Sequence, residues 1–231
     1  MRIVLTDYHS HLLPGMDDGA KDISVTKEML TQYKHQGVER MIATPHFYPL
    51  RESAERFLRR REGAFAQLEK TNDDFLILPG AEIRIEKRLS EIGLMSELTL
   101  AGSQYVLLEL PYAPFREWMI TEIYQIMYNF NLIPVLAHVE RYQKWYTRDE
   151  MRRILTIQDS ILQINYEALQ TRSTAKLAME LVQKSFPVIF GSDAHNTDDR
   201  PPNVEDGYRL LKAKLNENQW DTLMTRNREL L

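Results

Sequence analysis

The chain has 231 residues, is 43% hydrophobic and 27% charged, and sets 29 Lys+Arg against 33 Asp+Glu for a formal net charge of −4. That balance fits an ordinary globular protein with one large domain or two small ones, and it argues against nucleic acid as the main partner, because phosphate backbones demand a basic face. The absence of cysteine excludes a disulfide framework and every hydrolase that attacks through a thiolate, and it fits a reducing cytosol.

In chain order, residues 1–7 lack the apolar stretch of a signal peptide, and 3–8 read as a first strand. From Ser24 onward, Val25, Met29 and Tyr33 recur at helical spacing until Gly37, a C-terminal stop. A second strand follows at 39–44. A charged helix at 53–70 carries Phe57, Leu58, Phe65 and Leu68, and its run Arg59-Arg60-Arg61 reads as a solvated face. Strands at 75–82 and 105–110 precede a helix at 117–131 with Ile120, Ile123, Met127 and Phe130 on one face. Strands at 133–137, 161–164 and 188–190 then alternate with helices at 148–157, 174–184 and 205–215, before a polar tail helix.

Such alternation implies a parallel sheet with right-handed crossovers. Seven units suggest a barrel one unit short of the eightfold form, with an open doubly wound sheet as the alternative. Nothing marks a linker or a repeat, so residues 1–231 read as a single domain. No run approaches the roughly twenty apolar residues of a membrane helix, and the expectation is a cytoplasmic protein without membrane insertion.

The chemistry gathers at the strand ends. Of six histidines, five lie just past a predicted strand: His9 and His11 after the first, His46 after the second, His138 after the fifth and His195 after the seventh. Glu82 and Glu109 end the third and fourth strands, Asp17 and Asp18 lie in the loop after His11, and Asp193 lies in Gly191-Ser192-Asp193-Ala194-His195. A carboxylate in an apolar strand is costly to bury unless it is paired or metal-bound. His-x-His alone is a weak signal, His35 reads as a surface residue, and Asp159 and Asp198-Asp199 read as turns. The joint placement of imidazoles and carboxylates on the one rim where barrels build active sites points to two or three divalent ions such as Mn²⁺, Fe²⁺ or Zn²⁺.

The strings His9-Ser10-His11-Leu12-Leu13-Pro14-Gly15-Met16-Asp17-Asp18-Gly19-Ala20, Ala43-Thr44-Pro45-His46, Gly80-Ala81-Glu82 and His138-Val139-Glu140-Arg141-Tyr142 resemble the polymerase and histidinol phosphatase (PHP) family. Within it they are most similar to the CpsB/YwqE-type protein-tyrosine phosphatases of bacterial capsule and exopolysaccharide loci. The resemblance implies a distorted (β/α)₇ TIM-like barrel and three divalent metal ions, manganese above all, with Fe or Zn as alternatives. It implies a first ion on His9, His11, Glu82 and Asp193, a second on Glu82, Glu109 and His138, and a third on Asp18, His46 and His195, with Glu82 bridging. Asp18 and Glu109 stand where many PHP phosphatases carry histidine, which matches the tyrosine phosphatase branch. Val139 replaces that branch's usual proline, and the segment 165–170 is shorter than is typical.

Phosphomonoester hydrolysis without a thiol requires an activated water, and a hydroxide bridging two divalent ions supplies one. Arg141 and Arg200 match arginines of the same branch and are candidates for the phosphate oxygens. Phe47, Tyr48, Tyr112, Phe115, Tyr142, Trp145, Tyr146 and Tyr166 lie on rim loops, where they either frame a phosphotyrosyl ring or pack the loops. The resemblance further implies a tyrosine-phosphorylated partner, an autophosphorylating bacterial tyrosine kinase, while oligomeric state stays open. Rival readings are a small-molecule phosphatase acting on histidinol phosphate or a nucleotide, a phosphodiesterase or nuclease, and a catalytically idle metal-binding adaptor.

Overall fold

Short apolar runs separated by helical crossovers pair in parallel, because each chain reversal consumes a whole helix or loop before the next strand begins. The computed structural model describes residues 5–68 and 75–230. Positions 3–4 of the first predicted strand and 69–70 of the second predicted helix lie outside them. In chain order the elements are β1 (Leu5–Ser10), α1 (Ile23–His35), β2 (Val38–Ala43), β3 (His46–Phe47), α2 (Ala54–Leu68), β4 (Leu76–Pro79), β5 (Glu82–Arg84) and β6 (Tyr105–Glu109). There follow α3 (Glu117–Phe130), β7 (Ile133–Leu136), α4 (Arg148–Leu155), β8 (Ile161–Asn165), α5 (Arg172–Gln183), β9 (Val188–Gly191), α6 (Val204–Lys214) and α7 (Glu217–Glu229).

The strands pair in the orders β1-β2-β4 and β3-β5-β6-β7-β8-β9, every pair parallel. β2 runs on into β3, and β4 into β5, so the nine strands make seven barrel staves among the described residues. The first and last staves close on each other: His11 N donates to Ala194 O at 2.8 Å, and Asp193 N donates to His9 O at 2.7 Å. The molecule is therefore a distorted (β/α)₇ barrel, and the open doubly wound sheet is set aside.

Two predicted strands break where the residues require it. Proline has no N–H to give a ladder, and the second stave is interrupted at Thr44-Pro45 before β3 begins. The third stops at Pro79 and resumes at Glu82. Between them a Cβ on Gly80 would stand 3.0–3.1 Å from Ile42, Leu100 and Thr44 side chains, so a larger residue there would have to push these neighbours aside. Between β5 and β6 no α-helix forms among the described residues. Three 3₁₀ turns, Leu89–Glu91, Met95–Leu98 and Leu100–Gly102, cover that side instead. Elsewhere capping sets the ends. The Asp22 carboxylate accepts from Ser24 N and Val25 N at 2.9 and 3.2 Å to start α1, and Gly37 at φ +69° turns the chain after it.

Alternation along each stave divides the core. Val106 and Leu108 of β6 pack with the helices, whereas Leu107 joins Tyr8, Ile42, Val135, Ala137, Ile161 and Ile189 inside the barrel. Leu230 completes this inner cluster, and the Tyr8 hydroxyl donates to Asn227 O, so the end of α7 seals the floor. Positions that continue the inward register beyond this apolar layer line the mouth.

Candidate metal centre

Inward register, followed upward, leads from hydrocarbon to polar side chains. On β6 it runs from Leu107 to Glu109; on β8 from Ile161 to Gln163 and Asn165; on β5 it gives Glu82 and Arg84. Cross-strand register sets His46 beside Glu82 and Arg84 beside Glu109. On β1 a register irregularity between Asp7 and Ser10 interrupts the alternation, so Tyr8 packs inside the barrel and His9 also reaches the cluster. His138 and Asp193 follow β7 and β9 in left-handed backbone, at φ 30° and 53°. Such conformations are uncommon for residues with a Cβ and concentrate at functional sites.

These placements make one cluster. His9, His11, Glu82 and Asp193 each bring one ligand atom within 4.8 Å of the others, and so do His11, Asp18, His46 and His195. The third such group is His46, Glu82 and Glu109. His138 Nε2 lies beside it, 2.7 Å from Glu82 Oε1 and 3.6 Å from Glu109 Oε1. All nine predicted metal residues thus lie together, with His11 in two groups and His46 nearer to Glu82 than the sequence implied. His35 is exposed at the end of α1.

Four histidines have Nδ1 occupied on the side away from the cluster. His9 Nδ1 meets Gln163 Oε1 at 3.0 Å, His11 Nδ1 meets Asp17 Oδ2 at 2.7 Å, and His195 Nδ1 meets the Asp193 carbonyl at 2.9 Å. His138 Nδ1 faces the Tyr112 hydroxyl at 3.3 Å. Where that partner is an oxygen that can only accept, as for His9, His11 and His195, a proton held on Nδ1 leaves the Nε2 lone pair directed inward, as histidine ligation of a metal requires.

Inside the cluster, lone pairs face one another. Glu82 Oε2, Glu109 Oε2, Asp193 Oδ1, His46 Nδ1 and His195 Nε2 are buried without a hydrogen bond, five of only eight such side-chain atoms among the described residues. His46 Nδ1 stands 3.0 Å from Glu82 Oε2, yet not in hydrogen-bond geometry. Buried polar atoms are normally paired, and leaving one unpaired costs about 1–3 kcal/mol. Nitrogen and carboxylate donors converging on shared points fit divalent cations of the Mn, Fe and Zn class.

Without metal, protons compete for the same sites: burial opposes protonation, but Glu82 raises His9 and His46 above the ordinary imidazole value and Asp17 raises His11. Burial alone would raise Glu82, but His9 and His46 hold its carboxyl well below the ordinary range. Burial, with Glu82 next, pushes Glu109 up to about 7. Burial, with His11 next, pushes His195 down to about 3. Asp17 resists burial and is held at about 2 by its contact with His11.

Arg141 and Arg200 both reach Asp193 Oδ2, at 2.8 and 2.7 Å, with about a third of each side chain exposed. Asn165 Nδ2 donates to the same oxygen at 3.0 Å. Of the eight rim aromatics, Tyr48, Tyr112 and Tyr142 pack on cluster histidines, Tyr142 at 5.8 Å from His138, and Trp145 extends the row through Tyr112. The Tyr48 ring lies 5.1 Å from His46, Tyr112 lies 6.0 Å from His138, and half-exposed Trp145 lies 6.0 Å from Tyr112. Phe47, Tyr142, Tyr146 and Tyr166 are buried in the core, and Phe115 packs against it. In Arg59-Arg60-Arg61 the solvated-face reading is corrected for two residues. Arg60 pairs with Glu52 at 2.6 Å, and Arg61 donates to Gly80 O and Glu97 O at 2.7 and 2.9 Å.

Three residues outside the implied ligand set support the cluster. Gln163 also accepts from His138 N at 2.7 Å and donates to Asn165 Oδ1 at 2.9 Å, locking β8 to both neighbours of the cluster. Its signal is a pair of polar residues two positions apart, Gln163 and Asn165, at the end of an otherwise apolar strand. Asp17 accepts from His46 N at 2.7 Å besides His11 and holds the loop that carries Asp18. Asp7 accepts from Tyr33 at 2.7 Å and from Ser192 N at 2.8 Å, tying β1 to the chain after β9.

Residues 5–231 match the family model for capsular polysaccharide synthesis, CpsB/CapC. The chain is 29% identical to the tyrosine-protein phosphatase CpsB of Streptococcus pneumoniae, over 91% of this chain and 90% of that protein. It is 28% identical to the tyrosine-protein phosphatase YwqE of Bacillus subtilis (strain 168), over 98% of this chain and 91% of that one. The fold also matches a solved structure from work on YwqE of Bacillus subtilis and CpsB of Streptococcus pneumoniae, described as unique metal-dependent tyrosine phosphatases. There the TM-score is 0.80 at 26% identity, covering 98% of this chain and 93% of the other.

Proposed function

This chain belongs to the CpsB/CapC family of capsular polysaccharide synthesis, and from that premise we propose that it is a metal-dependent protein-tyrosine phosphatase. The observation that carries the reading is the set of unpaired, buried ligand atoms converging at the barrel mouth. The named relatives are tyrosine phosphatases, and the related solved structure is described as metal-dependent. In this reading residues 1–231 act as one metallophosphatase domain. A first divalent ion takes His9, His11, Glu82 and Asp193; a second takes Glu82, Glu109 and His138, with His46 beside it; a third takes Asp18, His46 and His195. Manganese suits the donor set, as do iron and zinc.

Divalent ions held there supply Lewis acidity towards phosphate oxygens and lower the pKa of a water from 15.7 towards about 7. The remaining work falls to the chain. Gln163, Asp17 and Tyr112 keep the histidine rings oriented. Arg141 and Arg200, anchored on Asp193 and partly open to solvent, bind non-bridging phosphate oxygens through their guanidinium forks. Tyr48, Tyr112 and Trp145 flank the leaving ring. A tyrosinate, with a parent pKa of about 10, leaves with less protonation than an alkoxide needs.

No helix among the described residues is long and apolar enough to cross a membrane. The partner we propose is the phosphotyrosyl segment of a bacterial tyrosine kinase, met in the cytoplasm. An idle adaptor is disfavoured because every candidate ligand joins the cluster. The test is turnover of a phosphotyrosyl peptide, a phosphoseryl peptide and histidinol phosphate, each with Mn²⁺ and with EDTA, using His138→Ala as control. Manganese-dependent release confined to the phosphotyrosyl peptide and lost in the variant is the expected result. Preference for histidinol phosphate would overturn the substrate, and no release from any of the three would overturn the activity.

A further inference from the structure

We infer that the cleft between α4 and α5 is a docking groove for an acidic, apolar-anchored segment of the phosphotyrosyl protein, an inference that rests on the phosphatase reading above. In barrels of this kind, neighbouring outer helices usually interlock their side chains at 8–10 Å. Here α4 and α5 leave a cavity of about 670 Å³ on the outer face. Each helix gives it a whole face at helical spacing. Arg148, Met151, Arg152 and Leu155 come from α4, and Lys176, Leu177, Glu180 and Leu181 come from α5.

The composition of this cleft specifies the occupant. Met151, Leu155, Leu177, Leu181 and Phe186 give the cleft its apolar lining. Arg148 and Arg152 stand on one bank, and Lys176 and Lys184 on the other, with Glu180 as the single acidic lining residue. Glu180 is paired with Lys184 at 2.6 Å, and Arg152 meets Asp149, outside the lining, at 3.5 Å, so Arg148 and Lys176 carry most of the charge offered to an occupant. The lining therefore carries a formal surplus of three positive charges, four against one, on a chain whose net charge is −4. A segment that seats apolar side chains on the apolar lining and sets carboxylates against both banks matches that pattern, the helix-in-groove mode of peptide recognition.

Continuity with the centre identifies the source of the segment. Gln143 and Tyr146 form the near wall. They belong to the 3₁₀ helix Val139–Lys144 and the turn after it, the same segment that begins at His138 and carries Arg141. Tyr146 is fixed there by donating to Pro111 O and packing on Tyr142. A phosphotyrosyl protein lying along this segment can occupy the metal centre and the groove together, which raises its effective concentration at the centre without altering the chemical step.

The test uses three peptides sharing one phosphotyrosine core and one Gly-Ser linker, extended by a Glu/Leu segment at helical spacing, by a Lys/Leu segment or by Gly-Ser alone. The proposal predicts a KM about tenfold lower for the Glu/Leu peptide at unchanged kcat, with no gain for the other two. Arg148→Glu with Lys176→Glu abolishes that gain and transfers it to the Lys/Leu peptide. Arg148→Lys with Lys176→Arg keeps the preference for Glu/Leu. Both double variants retain wild-type turnover of p-nitrophenyl phosphate, since both residues are exposed and outside the metal centre. Anisotropy of an unphosphorylated, labelled Glu/Leu peptide reads the groove without turnover. Loss of hydrolysis with retained, variant-sensitive binding would overturn the phosphatase reading and spare the groove. Equal KM values for all three peptides, or a gain that survives charge reversal, would overturn the groove. So would binding of phosphatidylglycerol vesicles in place of the peptide, lost in the reversed variant.

Discussion

At the scale of single residues, the contacts behind the ligands set how firmly each ring is held. Asp17 is no direct ligand in the assignment above, yet its carboxylate fixes His11 Nδ1 and the backbone of His46 at 2.7 Å each. Removing such a supporting group typically costs 10–100-fold in metal affinity. Asp17→Asn should therefore weaken Mn²⁺ binding by about that factor, measured by calorimetry on chelator-treated protein. Affinity equal to wild type would mean that the His11 ring is held by packing alone. Arg141→Lys keeps a charge but loses the planar fork, and turnover of a phosphotyrosyl peptide should fall by about tenfold or more.

Glu140 gives a pH signature. Burial pushes its carboxyl up to about 8, against about 4.3 in an unfolded chain. A group whose folded value lies above its unfolded one binds its proton more tightly in the fold. Its stabilising contribution is full below about pH 4.3 and is lost as pH rises through about 8. In metal-free protein this group should cost up to ~1.4 kcal/mol of stability per pH unit across that window. Glu140→Gln, neutral throughout, should remove that share of the slope in thermal melts. An unchanged slope would show that Glu140 does not carry it.

At the scale of elements, β9 and β1 meet so closely that their seam admits no extra atom. A Cβ on Gly191 would stand 2.6 Å from His9 Cβ and 3.0 Å from His9 N. Gly191→Ala should part the seam that holds His9 and Asp193 together, at a cost of about 1–3 kcal/mol or more. The expected outcome is a lower melting temperature and a smaller stabilisation by added Mn²⁺. Retention of both would show that the seam can relax.

Legibility from sequence follows the same physics. Strands covered on both faces read as short apolar runs, and β6, β7, β8 and β9 fall within a residue or two of their predicted bounds. The breaks at Thr44-Pro45 and Gly80-Ala81 do not show in the apolar pattern because each interruption is shorter than a turn signal. The turns between β5 and β6 do not show there either, because 3₁₀ segments carry no long period. Histidines and carboxylates after successive strands were visible as a pattern, since barrel strand ends converge. Gln163 and Asn165 were not singled out, because neutral polar residues in a strand carry no motif.

At the scale of the molecule, the apolar layer inside the barrel supports a polar layer whose buried lone pairs have no internal partner. A ligand that binds the folded form alone stabilises it by mass action, so Mn²⁺ should raise the melting temperature and EDTA should reverse the gain. The formal net charge of −4 offers no surplus of basic residues for a phosphate backbone. The basic cleft between α4 and α5 departs from that balance on one face only.

The most direct test of the central claim is a titration of EDTA-treated protein with Mn²⁺, following phosphate release from a phosphotyrosyl peptide and bound metal in the same samples. The account predicts no release without metal, rising turnover as more than one ion per chain is bound, and loss of both on renewed chelation. Turnover by metal-free protein, or bound metal with no turnover, would contradict it.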